Sequence, residues 1–188
     1  GWLMAGVWIA CSGSDKSAET MAAQKTLAAG GLSDAQSQLM AILEEVPGDP
    51  VAATALAHIY VLNGDFTQAE SVLDTVQSED AKIQSEIALR KALVALEAKD
   101  FSKAKEMALT SKEEFALVLA AEISLMDGEY EEAIEYLEKV GGRHQALAKQ
   151  YLELLDGNEW SQAYAEAQAL WALRDFDLAI QSVAGTME

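Results

Sequence analysis

Few side chains in this sequence could do covalent or metal chemistry: two histidines, His58 and His144, and a single cysteine, Cys11, in 188 residues. Holding a metal takes several ligands converging on one point, as a histidine pair four apart on one helical face provides. Neither histidine has a His-x-x-x-His or Glu-x-x-His partner, and no Gly-rich phosphate loop, Gly-x-Ser-x-Gly or Cys-x-x-Cys occurs. No resident metal and no cofactor is therefore expected. Carboxylates are abundant and often adjacent, as in Glu44-Glu45, Glu113-Glu114 and Glu131-Glu132. Acid–base work needs two carboxyls facing each other, and neighbours on a helix point apart. These pairs read as solvated outer faces, and the expectation is a chain with no catalytic centre. One cysteine also means no internal disulfide.

Charge restricts the partners. Asp and Glu number 31 against 13 Lys and Arg, a formal net charge of −18. A field of that sign repels phosphate backbones and anionic headgroups, so nucleic acid and peripheral lipid binding are disfavoured. Basic or neutral partners are favoured, and the same acidity serves solubility.

The elements that must position any binding residue show themselves by repetition. An aromatic followed three places later by alanine recurs as Phe66…Ala69, Phe101…Ala104, Tyr130…Ala133, Trp160…Ala163 and Phe176…Ala179, preceded by Leu32…Ala35. The alanines lie 34, 35, 29, 30 and 16 residues apart. A period near 34 marks a helical solenoid, whose units each need a neighbour to bury their apolar faces. One unit shows the design. From Asp49 to Val76, helical spacing runs through Ala53, Leu56, Ala57 and Tyr60, stops at Asn63-Gly64-Asp65, and resumes at Phe66, Ala69, Leu73 and Val76. Pro50 suits a first helical turn and Gly64 a position just past a helix end. The unit is helix, tight turn, antiparallel helix. Composition agrees, with 51% apolar residues and only two prolines.

Leu56, Ala57, Tyr60, Gly64, Phe66, Ala69 and Leu73 occupy places that resemble the tetratricopeptide repeat consensus, and corresponding residues continue over roughly 16–184. The resemblance implies an all-α fold: an α-solenoid of antiparallel helical hairpins with a right-handed superhelix, here about five hairpins over residues 14–188 with a terminal cap. The short spacings imply hairpins trimmed by about a turn near Thr110-Ser111-Lys112 and Gly141-Gly142. The helix from about Glu159 to Leu173 is expected to serve both as second helix of unit five and as first helix of the cap. The aromatics are expected to plug the spaces between units, and Trp160, Trp171, Met107 and Met126 to pack in the core.

In that family the concave inner wall is lined by first-helix side chains. Carried over, the partner-binding groove comprises Thr54 and His58 in the second repeat, Glu86, Leu89 and Leu93 in the third, Phe115, Val118 and Glu122 in the fourth, and Leu152 in the fifth. Members that clamp a chaperone's C-terminal carboxylate use Lys and Asn at these places, and this chain has neither there. An apolar wall with sparse acids suits a protein or peptide with apolar and basic features.

The first thirteen residues differ from the rest. Gly1–Cys11 is an uncharged apolar run, too short to span a bilayer and of the length of a signal-peptide core. Ile9-Ala10-Cys11, followed by a short polar spacer, resembles a bacterial lipoprotein signal, which implies lipidation of Cys11 and a membrane tether facing the periplasm. Two other readings stay open: an uncleaved membrane anchor, or an apolar helical start packing on the first repeat, with a cytoplasmic protein as the alternative. The whole reads as a non-enzymatic scaffold that recruits or assembles envelope proteins through its concave face. A chaperone-associated client-binding module and a structural subunit held permanently in a membrane complex fit the same fold.

Overall fold

The structure, a computed structural model, describes residues 17–173. The segment 1–13 with Cys11, and the Phe176…Ala179 pattern of the expected cap, lie outside the described residues. Ten α-helices follow in order: α1 (Ser17–Ala28), α2 (Leu32–Glu45), α3 (Pro50–Leu62), α4 (Phe66–Asp74), α5 (Ala81–Glu97), α6 (Phe101–Thr110), α7 (Glu114–Met126), α8 (Tyr130–Glu138), α9 (Gln145–Leu155) and α10 (Glu159–Ala172). A 3₁₀ turn at Gly142–His144 precedes α9, and no strand occurs among the described residues. The all-α hairpin architecture matches the sequence expectation. The chain divides into two compact units, Gly1–Glu79 and Asp80–Glu188.

Local chemistry sets the hairpins. The Asp65 and Asp100 carboxylates and the Asn158 side chain accept from the backbone N–H groups of Gln68 (3.2 Å), Lys103 (3.1 Å) and Ser161 (3.2 Å), satisfying donors that an α-helix start leaves open. Each begins a second helix. Asp49 does the same for α3, accepting from Val51 and Ala52, with Pro50 in the first turn. The first helices α3, α7 and α5 end through a residue in the left-handed region: Gly64 (φ +77°), Gly128 (φ +74°) and Lys99 (φ +61°) respectively. Lysine at that place carries a backbone strain that glycine would not.

The repeated alanine, rather than the repeated aromatic, is the constant of the core. Ala35, Ala69, Ala104 and Ala133 are wholly buried, whereas Phe66, Phe101 and Tyr130 are only half-buried. Each of these three rings sits at the first position of its second helix and keeps part of its surface in solvent. Alanine three residues on faces the partner helix and lets the backbones approach.

Unit one packs α1 on α2, α2 on α3 and α3 on α4. Its core is built from Ala23, Ala35, Leu39, Ile42, Ala52, Leu56 and Ile59. Unit two opens with the α5–α6 hairpin, and α7 then packs on α6. The α6–α7 connection is trimmed to three residues, as the 29-residue spacing implies, and a buried pair of serines fastens it. Ser111 Oγ donates to the Ser85 carbonyl at 2.8 Å, and the Lys112 N–H donates to Ser85 Oγ at 2.7 Å.

The last two hairpins do not simply extend the stack. α8 packs on α7 and α9 on α8, but α10 packs on both α9 and α7, closing a ring of four helices. Its core holds Val118, Ala121 and Leu125 from α7, Ala133 and Leu137 from α8, Ala148, Tyr151 and Leu155 from α9, and Ala165 and Ala169 from α10. α10 has the span expected of it, yet its second-helix role is exercised against α7 as well as against its own hairpin partner. Trp171, expected in the core, is 63% exposed on α10.

Candidate partner-binding surface

In unit one the inner-wall positions Thr54 and His58 lie one turn apart on α3, both half-buried. α3 is nearly apolar throughout, so these two side chains supply most of its polarity on that side.

In unit two, α5 carries Glu86, Leu89 and Leu93 along one stripe at spacings of three and four. Glu86 and Leu89 are half-buried, and Leu93 is buried at 8% exposure. The Arg90 guanidinium lies 3.7 Å from the Glu86 carboxylate. Burial pushes the Glu86 carboxyl above its ordinary range, Arg90 pulls against that rise, and Glu113 adds to it.

On α7, Phe115 is half-buried with its ring centroid 5.5 Å from that of His144. Arg143 Nε donates to His144 Nε2 at 3.1 Å. Burial, then the neighbouring Arg143, lowers the imidazole pKa, with Glu114 opposing. His144 is thus a half-buried ring packed beside Phe115.

Val118 and Glu122 are buried, at 0% and 6% exposure, because α9 and α10 cover their side of α7. Leu152 packs against the same core from α9 and is half-buried. Tyr151 Oη donates to Glu122 Oε1 at 3.0 Å. Desolvation drives the Glu122 carboxyl up to about 8, against the weaker opposing pull of that hydrogen bond. Burial, reinforced by the Glu122 charge, pushes the Tyr151 phenol up as well. Of the nine inner-wall positions, then, Val118, Glu122 and Leu152 meet around one closed core, while Leu93 is buried on α5. Thr54, His58, Glu86, Leu89 and Phe115 keep part of their surface in solvent.

Two features escaped the sequence reading. Glu132, read as a solvated outer carboxylate, accepts from Lys105 Nζ on α6, from Tyr136 Oη (2.7 Å) and from Ser124 Oγ (3.1 Å). The Lys105 hydrogen bond first, and Tyr136 next, draw its carboxyl down to about 2. Lys105 also reaches Glu129 at 2.7 Å, so one ammonium spans two repeats. Tyr151 was the second omission. It stands 29 residues after Glu122, one short of the 30 that separate Ala133 from Ala163, on the next first helix.

Among the described residues no three His, Cys, Asp or Glu side chains gather as a metal site requires, and no helix is long and apolar enough to cross a membrane.

Comparison with known proteins follows the same lines. The tetratricopeptide repeat family profile matches residues 26–93. A solved structure from a functional characterization of Pseudomonas aeruginosa PilF superposes with a TM-score of 0.58 at 20% identity, covering 88% of this chain and 72% of that one. No curated protein matches the sequence significantly. The tetratricopeptide signature is therefore carried by residues 26–93, and a fold shared with the Pseudomonas protein extends over most of the chain.

Proposed function

We propose that this chain is a non-enzymatic scaffold that binds protein partners along its first helices, tethered to the bacterial envelope through a lipidated Cys11. The observation that supports the reading is that, within each compact unit taken by itself, expected inner-wall side chains are half-buried on a first helix: Thr54 and His58 on α3 in one, Glu86 and Leu89 on α5 and Phe115 on α7 in the other. Half-buried leucine and phenylalanine beside a carboxylate suit a peptide or helix with an apolar face and basic flanks. The net charge of −18 attracts such a partner over distance and repels nucleic acid. The Ile9-Ala10-Cys11 motif supports the tether.

Photocrosslinking in the native membrane tests the binding face. A photoreactive residue at Thr54 or Leu89 should give discrete protein adducts, and one at the exposed Glu135 on α8 should not. Adducts confined to the Glu135 position would overturn the inner-wall assignment. Intact mass of the membrane-extracted protein tests the tether, with a diacylglyceryl-modified Cys11 as the new N-terminus expected. An unmodified cysteine within a longer chain would refute it.

A further inference from the structure

The four-helix closure puts α10 on inner-wall residues of α7, and the way it is held there is unusual. The side turned to the core offers mainly small residues, Ala163, Ala165 and Ala169, with Leu170 and Leu173 near the end. The large side chains Tyr164 and Trp171 face outward, at 50% and 63% exposure. Alanines allow close approach but remove little apolar surface from water per residue. Polar clasps complete the attachment: Tyr130 Oη on α8 donates to Glu166 Oε1, and Lys99 Nζ donates to the Leu173 carbonyl at 3.1 Å. Both join side chains or ends that water can serve equally well. Beneath the closed pair lies Glu122, a carboxyl 6% exposed with Tyr151 Oη on it, surrounded by Val118, Ala121 and Leu125. A carboxyl enclosed by apolar neighbours opposes the closed state, because solvent or a cation would hold its charged form better.

We propose that α10 is a displaceable latch over a partner groove on α7, and that the uncovered Val118, Glu122 and Leu125 take an amphipathic helix carrying one basic side chain within its apolar face. Val118, Glu122 and Leu125 stand at spacings of four and three, one continuous stripe along α7. An incoming helix would replace the alanine face of α10 with larger apolar side chains. Its cation would supply the charge partner that Glu122 lacks in the closed state. The Asp156-Gly157-Asn158 connection, three residues with no packed side chain among them, lets α10 leave while α9 stays on α8.

The inference rests on the partner-binding role proposed above, and the first arm of its test needs no partner. Native-state hydrogen exchange on the full chain should show α10 amides opening at least ten-fold more often than those of α7 and α8. Equal protection, with α10 exchanging only on global unfolding, would overturn the latch whatever the crosslinking shows. The second arm uses two synthetic 18-residue amphipathic peptides of identical composition, one with a single arginine centred in the leucine face, the other with that arginine on the polar face. Ala169→Glu, which places a carboxylate between α10 and α7, should tighten binding of the first peptide at least ten-fold and leave the second unchanged. Adding Glu122→Gln should abolish the difference between the peptides. Equal affinities for the two in the Ala169→Glu protein, or no gain over wild type, would refute the groove. If Ala169→Glu does not fold, the exchange arm on the unaltered chain still decides.

Discussion

Replacing Glu122 by glutamine isolates the energetic consequence of enclosing a carboxyl in the α7–α10 ring. In the folded chain desolvation carries its pKa from an ordinary 4.5 to about 8. The folded state therefore holds the proton more tightly than the unfolded chain does. Stability from this residue is fully present below pH 4.5, falls as pH rises between the two values, and levels off above about 8. At about 1.4 kcal/mol per pH unit, the window amounts to roughly 5 kcal/mol. That figure is a ceiling, because the ionised carboxylate can relax by letting α10 open to water at a smaller cost. Of the carboxylates on the helices packed against α7, Glu132 is engaged with Lys105 and Ser124, and Glu166 with Tyr130. Glu122→Gln leaves both contacts in place, so the difference between the two proteins isolates the one carboxyl. Urea denaturation of the pair at intervals from pH 5 to 9 is the assay. The glutamine protein should be equal or slightly weaker at pH 5, where it must pair an extra N–H₂ group, and more stable by several kcal/mol at pH 8. Curves that stay parallel within about 0.5 kcal/mol would mean that water reaches Glu122 in the folded state, and the enclosed-carboxyl argument would fail.

Three further outcomes follow from single sites. Gly48→Ala should destabilise unit one by roughly 2 kcal/mol or more in denaturant midpoint analysis, since φ is +78° there and a Cβ would stand 2.7 Å from the Thr75 carbonyl oxygen. Lys99→Gly should be more stable than Lys99→Ala by about 1 kcal/mol, because both lose the amine on the Leu173 carbonyl but only glycine relieves φ +61°; equal thermal midpoints would argue against strain at that turn. Ser85→Ala leaves the Lys112 N–H without its acceptor, while Ser111 keeps the Ser85 carbonyl, and should cost about 1–3 kcal/mol, whereas the exposed Ser102→Ala should be neutral.

Much of the fold could be read from residue spacing, because each hairpin is specified locally. Asp or Asn before the second helix, glycine after the first, and the buried alanine three places into the second all act within a few residues of themselves. The limits of that reading came from interactions reaching across a repeat. Glu132 looked like half of a solvated carboxylate pair because its partner Lys105 sits 27 residues earlier. The ring closure was hidden for a related reason. A repeat pattern treats every second helix as equivalent, yet α10 turns its alanines to a core shared with α7, α8 and α9 and leaves Tyr164 and Trp171 outside. The inner-wall assignment on α7 did not foresee that Val118 and Glu122 are covered. Only the packing of a later helix decides whether such a face is open.

The closure of α7 through α10 also bears on how this chain could be lengthened. A repeat array grows by duplication when a new hairpin can dock on the surface its predecessor presented. Here α10 already occupies a side of α7. A hairpin copied in after α8 would have to displace α9 and α10 from the ring and dissolve the Glu122–Tyr151 contact. A hairpin copied in before α7 would keep all four helices and their shared core together, asking only that α6-like and α7-like surfaces match once more. Viable insertions, natural or designed, should accordingly accumulate upstream of Glu114, with α7 to α10 inherited as one indivisible block.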